Sequence, residues 1–384
     1  MKLFTCSNCK QPLYFENNKC LNCGHATGFE ADRMSLLTLS VGDKGILFDM
    51  NERANTYKYC ENSLHGTCNW LIPSQQADPF CQACALNRTI PSLSGQENLT
   101  RWQRIEIAKH RLVYSLLRLH LPVTPKTEPE GEGIAFDFMA DKSPEERVMT
   151  GHNKGTITLN IEEADEVERA KNKLDLGEKY RTLLGHFRHE IGHYYWDLLI
   201  KTDDGSQGGS RRESAGGSRS GSTGGSQNEV QRPRSGGSQG EPLIGSFRRV
   251  FGDERKDYAE ALKAYYANGA PSDWAEHFIS PYASSHPWED WAETWSHYMH
   301  MMDTLETAYS FGIGIHPGNS QDLNAEIRRD PYVMKDFDLI FGMWLSLTFA
   351  VNSLNRSMGH ADFYPFVISA AVREKLRFIH KTVQ

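Results

Sequence analysis

All eight cysteines of this 384-residue chain lie between Cys6 and Cys84, and they are grouped rather than scattered. Cys6 and Cys9 form one C-x-x-C, and Cys20 and Cys23 form another. Each pair can place two sulfurs on one side of a tight turn, and four thiolates close a tetrahedral zinc ion with no open position. So short a segment has almost no apolar core, so metal binding would supply its folding energy. Residues 1–30 are therefore expected to form a zinc ribbon. Cys60, Cys68, Cys81 and Cys84 make a second, less regular cluster, which predicts another structural zinc within residues 31–95. His65 can stand in there for Cys60 or Cys68. The competing readings are disulfides, a redox pair or reduced thiols in small cores. The opening MKLFTCSNCK lacks the apolar stretch of an export signal. That favours a reducing compartment, metal ligation and a cytoplasmic protein.

Residues 96–384 are expected to be one mostly helical domain with a small antiparallel sheet, giving an α+β chain. Trp102, Ile105, Leu112, Leu116 and Leu119 recur at helical spacing within residues 98–121, ahead of Pro122 and Pro125. Residues 156–159 alternate after a Lys-Gly turn, which reads as a strand with one buried face. The most apolar run, residues 339–351, is too short to span a bilayer and reads as a buried helix, so no membrane partner is expected. Between 203 and 242 the composition collapses to Gly, Ser, Gln and Arg, with GGS four times. Such a segment buries too little apolar surface to offset its ordering entropy and is expected to be a flexible linker interrupting the domain.

GHFRHEIGHYYWD, residues 185–197, carries the densest chemistry: His189, Glu190 and His193 in the order H-E-x-x-H. On a helix, residues four apart share a face, so two imidazoles can meet one metal. Glu190 is turned by about 100° and can sit beside a water on that metal as general base. The motif also arises by chance on polar helix faces, but Leu183, Leu184, Phe187, Ile191, Tyr194 and Tyr195 make this helix mostly apolar. Buried imidazoles need partners, and a metal is one. A third histidine in the H-E-x-x-H-x-x-G-x-x-H pattern is excluded, because Trp196 and Leu199 stand where Gly and His are required. The remaining common solution is an acid from a second helix. SHPWEDWAETWSHYMH, residues 285–300, sets an aromatic stripe of Trp288, Trp291, Trp295 and Tyr298 beside Glu289 and Glu293, one turn apart. Spacing alone does not choose between the two acids as ligand.

These stretches carry a resemblance. H-E-x-x-H followed by a helical Glu resembles the gluzincin metallopeptidases, and EDWAETW is similar to the corresponding helix of anthrax lethal factor. CNWL, NRTIP, TGHNKGTITLN, EKYRTLLGHFRHEIGHYYWD, HPWEDWAETWSHYMHMMDTLETA and NSLNRSMG resemble a bacterial family of zinc-binding metallopeptidases with an N-terminal zinc ribbon. The resemblance to E-x-x-A-E implies that Glu289 is the third metal ligand and that Glu293 orients His189 or His193. It also implies Tyr282 as the donor that stabilises the oxyanion, with His286 the other candidate on the turn entering that helix. The Gly/Ser-rich linker is the clear departure from the family.

The function these readings imply is a zinc-dependent hydrolase of peptide or isopeptide bonds, with one catalytic and two structural zinc ions and a protein or peptide as substrate. The alternative is a non-catalytic module that recruits a protein or nucleic acid through its zinc ribbons. Retention of Glu190 favours the enzyme, since a structural site needs no general base. The net charge of −7 weighs against nucleic acid, whose binders are basic.

Overall fold

A computed structural model describes residues 1–128, 131–141, 143, 146, 148–165, 182–201 and 242–384. The linker expected at 203–242 lies outside the described residues apart from Pro242.

The N-terminal part is built from short strands, because turns bearing cysteine pairs break the chain every few residues. β1 (Phe4–Thr5) and β2 (Pro12–Leu13) form a hairpin around the first C-x-x-C. A five-stranded antiparallel meander follows: β3 (Ala26–Glu30), β4 (Ser35–Val41), β5 (Leu47–Asp49), β6 (Thr56–Tyr59) and β7 (Leu71–Pro73). Phe29 of β3 bridges Trp70 beside β7, so the first and last strands approach each other. The 30/31 boundary falls in the turn between two paired strands, and the second cysteine cluster brackets β7, the last strand of the same sheet.

A second sheet has the order β10-β11-β9-β8. β8 (Asn87–Thr89), β9 (Ala135–Met139) and β11 (Thr156–Asn160) run parallel, and β10 (Gly151–Asn153) is the antiparallel edge. The sheet is therefore mixed rather than antiparallel throughout as expected: a helix crosses over between β8 and β9, and only the tight turn between β10 and β11 gives an antiparallel pair. Gly155, at φ +81°, turns the chain from β10 into β11. The expected strand is β11; its edge neighbour β10 is too short to leave a period in the sequence.

Helix α1 (Gln96–Arg118) connects β8 to β9 and buries the Trp102, Ile105, Leu112 and Leu116 stripe. It also meets the ribbon, where Phe15 packs 5.4 Å from Tyr114 and Trp70 lies 5.3 Å from the His110 ring. Ribbon and helical body therefore share one continuous core.

Two helices cross at the centre of that body. α2 (Leu183–Leu199) starts at Thr182, whose hydroxyl accepts the Gly185 N–H, satisfying an N-terminal donor. α3 (Leu243–Phe251), α4 (Tyr258–Asn268) and α5 (Trp274–His277) lead to α6 (Pro287–Ser310). Pro287 opens α6 at a position where its missing N–H costs nothing. Its Trp291, Trp295 and Tyr298 are fully buried, so that part of the aromatic stripe is core, while Trp288 at its start is only half-buried. Tyr195 stacks on Trp295 at 5.3 Å, and the Trp291 indole donates to the Gly192 carbonyl at 2.9 Å.

The crossing is tight at Gly192, where a Cβ would stand 3.2 Å from both Ala292 Cα and the Trp295 ring. Gly192→Val should force the helices apart and cost about 1–3 kcal/mol, as overpacked cores do; denaturant unfolding measures it.

α7 (Phe337–Ser357) and α8 (Ala370–Val383) complete the body. Lys375 of α8 pairs with buried Asp290 of α6 at 2.6 Å. Among the described residues α7 is the one helix long and apolar enough to cross a membrane by length and composition. The sequence reading of a buried helix holds for one face only. Ile340, Phe341, Trp344 and Leu347 are buried, while Leu339, Leu345 and Phe349 are exposed. Composition shows that a helix is apolar, not which sides find a partner.

Candidate metal centres and active site

The eight cysteines are all free and gather as two tetrads, each with its ligand atoms within 4.8 Å of one another. In the first, Cys6 and Cys23 sulfurs are 3.6 Å apart and Cys9 and Cys20 sulfurs 3.5 Å. In the second, Cys68 and Cys81 sulfurs are 3.8 Å apart. Sulfurs about 2.3 Å from one tetrahedral zinc stand roughly 3.8 Å apart, so both tetrads fit zinc and neither is at disulfide length. Amide groups point into the second tetrad: Cys81 N–H to Cys60, Cys84 N–H to Cys81 and Trp70 N–H to Cys68. His65 is not among its ligands; its ring tilts against Trp102 at 5.7 Å. The Cys84 sulfur also lies 3.6 Å from His110 Nε2 of α1, which joins this site to the helical body.

The third group is made where α2 and α6 cross. His189 and His193 face Glu289, and their ligand atoms lie within 4.8 Å of one another. Glu289 Oε2 is 3.1 Å from His189 Nε2 and 3.6 Å from His193 Nε2. Nitrogen and oxygen ligands about 2.0–2.1 Å from a tetrahedral ion stand roughly 3.3 Å apart. Glu289 Oε2 is buried, yet among the described residues no group makes a well-aligned hydrogen bond to it. Lone pairs that converge this way without sharing a proton suit a cation. Two imidazoles and one carboxylate are also a zinc donor set that leaves a coordination position open.

The surrounding contacts orient this set. Glu293 Oε1 lies 2.7 Å from His189 Nδ1, so Nδ1 carries the proton and Nε2 keeps its lone pair for the metal side. Ser280 donates to the other Glu293 oxygen at 2.6 Å. Burial raises the Glu293 pKa, but the hydrogen bonds from His189 and Ser280 outweigh it and keep it well below the usual carboxylate range. The Tyr258 hydroxyl donates to Glu289 Oε1 at 2.7 Å. Glu289 is likewise held ionised: burial opposes the charge, and positive charge at the two facing histidines, or at a cation held between them, overcomes it. His193 leans on the Trp288 ring at 4.2 Å.

Glu190 is buried on the same helix, and the His186 imidazole lies 3.2 Å from its Oε1. The Tyr282 ring is 6.1 Å from that of His189 and 5.7 Å from Tyr265, which places it beside the group. Burial, then the Glu289 charge, pushes its hydroxyl pKa far up, so it is a neutral donor. His286 is occupied elsewhere: it caps α6 by accepting the Trp288 N–H, and its Nε2 donates to the Lys256 carbonyl. Asp197 lies at the surface end of α2 and pairs with Lys201 at 3.3 Å.

A pocket of about 360 Å³ is walled by His152, Trp196, Tyr258, His286 and Trp288 among others, and its His152 and Trp288 walls pack against His193. Sequence reading missed Tyr258 and His152. Tyr258 reaches Glu289 from a separate helix, and no local spacing marks it. His152 sits on β10 with its Nε2 accepting the Gly155 N–H, and its ring stacks 6.0 Å from that of His193.

A cysteine-rich ribbon fused to a helical body with a His-His-Glu group defines a class of zinc-binding protein, and comparison with known proteins specifies it. Residues 98–220 and 238–382 match the family described as "putative zinc-binding metallo-peptidase", and the chain belongs to that family. Residues 3–95 match a zinc-ribbon domain as a single unit. Uncharacterized proteins of Mycobacterium tuberculosis and Mycobacterium bovis are each 37% identical over 383 residues, covering 100% of this chain and 95% of their own length. No solved structure matches the chain.

Proposed function

We propose that the chain is a zinc-dependent hydrolase of peptide or isopeptide bonds, with His189, His193 and Glu289 holding the metal. The observation that carries this is the pairing of the His-His-Glu group with Glu190, an acid beside the group and outside it. Zinc in such a site lowers the pKa of water to about 7 and polarises the scissile carbonyl. The chain's own residues do the rest. Glu190 takes a proton from the attacking water and passes it to the leaving amine. Tyr282 donates to the oxygen that gains charge as the carbonyl becomes tetrahedral. Glu293 keeps His189 in the tautomer whose Nε2 faces the metal, and Tyr258 steadies the ligand carboxylate. The pocket beside His193 receives a substrate side chain.

The test is a diverse peptide library, including isopeptide-linked members, incubated with the zinc-loaded protein with and without a chelator. Cleavage that stops with the chelator and returns with added zinc supports the proposal. A fully zinc-loaded protein that cleaves no member contradicts it and favours the recruiting-module reading.

A further inference from the structure

His186 is a buried group that neither the H-E-x-x-H pattern nor the ligand set requires. It lies on α2 one turn before Glu190, with Nε2 3.2 Å from Glu190 Oε1. Its Nδ1 is 2.5 Å from Glu163 Oε2. Glu163 is fixed in turn, since its Oε1 accepts the Thr150 hydroxyl at 2.5 Å. Thr150 directly precedes β10 and Glu163 sits in the short turn after β11, so the edge of the sheet is tied to the acid on α2. Glu163 and Glu190 are 8% and 6% exposed, which removes water as a competing partner for most of their oxygens.

We propose that His186 is a positioning residue for the general base: clamped by Glu163, it pins Glu190 Oε1 and leaves Oε2 as the oxygen that exchanges the proton. The role rests on the hydrolase reading, in which Glu190 is the base. Both imidazole nitrogens face carboxylate oxygens, which accept hydrogen bonds and donate none when ionised. The ring serves both, as a hydrogen bond to Glu163 and an ion pair to Glu190, when each nitrogen carries a proton. A neutral ring would turn a lone pair on one buried carboxylate oxygen, and a buried acceptor so faced loses that interaction at a cost. The electrostatics agree. Burial disfavours the cation, but the charge and hydrogen bond of Glu163, then those of Glu190, raise the His186 pKa to about 9. A carboxylate on a flexible stem has several rotamers, and a fixed donor at one oxygen removes most of them before substrate arrives.

Two readouts test this on the full zinc-loaded chain. Nitrogen NMR of histidine-labelled protein at pH 7 should show His186 with protons on both nitrogens, and Glu163→Gln should abolish that state. On a cleaved peptide, His186→Phe and Glu163→Gln should each lower kcat roughly 10–100-fold, the usual cost of losing an orienting partner. KM and zinc content should stay at wild-type values. A merely structural role would instead lower stability without dividing kcat from KM. A singly protonated His186 overturns the clamp whatever the activity, and unchanged kcat in both variants overturns the positioning role. If the wild type cleaves nothing, the hydrolase reading fails and the positioning role with it, while the NMR result still reports the clamp separately.

Discussion

Glu190→Gln should lower turnover by about 10²–10⁴-fold, the usual contribution of a positioned general base, while zinc content and fold stay intact. Glu190 lies outside the His-His-Glu group, so its loss removes no ligand. The amide is nearly isosteric and can still accept a hydrogen bond from His186 at its oxygen, but it takes no proton from water. Kinetics on any peptide cleaved by the wild type, with zinc counted in the same samples, measure the effect. Full activity in this variant would remove the mechanism proposed for the chain.

The second large effect separates Glu289 from Glu293. Both lie on one face of α6, and their surroundings differ. Glu289 meets the Nε2 atoms of His189 and His193, whereas Glu293 meets the outer nitrogen of His189. Removing Glu289 leaves two imidazoles, too few for a tight site, so Glu289→Ala should leave the third site empty at ordinary zinc concentrations and abolish hydrolysis. Removing Glu293 frees the His189 tautomer and ring orientation but deletes no ligand. Glu293→Ala should therefore weaken zinc binding roughly 10–100-fold without eliminating it. Competition against a chromogenic chelator gives both affinities. The reverse order would make Glu293 the ligand.

Much of the site was legible in the sequence because its ligands obey local spacings. Paired cysteines, or two histidines four residues apart on a helix, are visible without any knowledge of the fold. The acidic helix was legible for another reason: its tryptophan stripe marked it as buried, and buried acids need partners. Spacing could not choose between Glu289 and Glu293, because both occupy one face; their different neighbours come from α2. Tyr258 and His152 were invisible for the same reason, since each reaches the site through tertiary packing from another helix or a three-residue strand. His186 was the avoidable omission. It precedes Glu190 by four residues, the spacing that brings helix side chains together, although nothing local marks Glu163 as its second partner. In the N-terminal part, two cysteine clusters read as two modules, yet β3 to β7 form one sheet that runs from the first cluster into the second, and Phe29 and Trp70 of that region share the core with α1.

The proposed hydrolase stands or falls with a zinc ion held by His189, His193 and Glu289. Anomalous diffraction at the zinc absorption edge, on crystals of protein purified without chelator, tests it most directly. Three peaks per chain are expected, one in each cysteine tetrad and one between the two helices within bonding distance of His189 Nε2, His193 Nε2 and Glu289. Two peaks confined to the cysteine tetrads, in crystals supplied with zinc, would contradict the account.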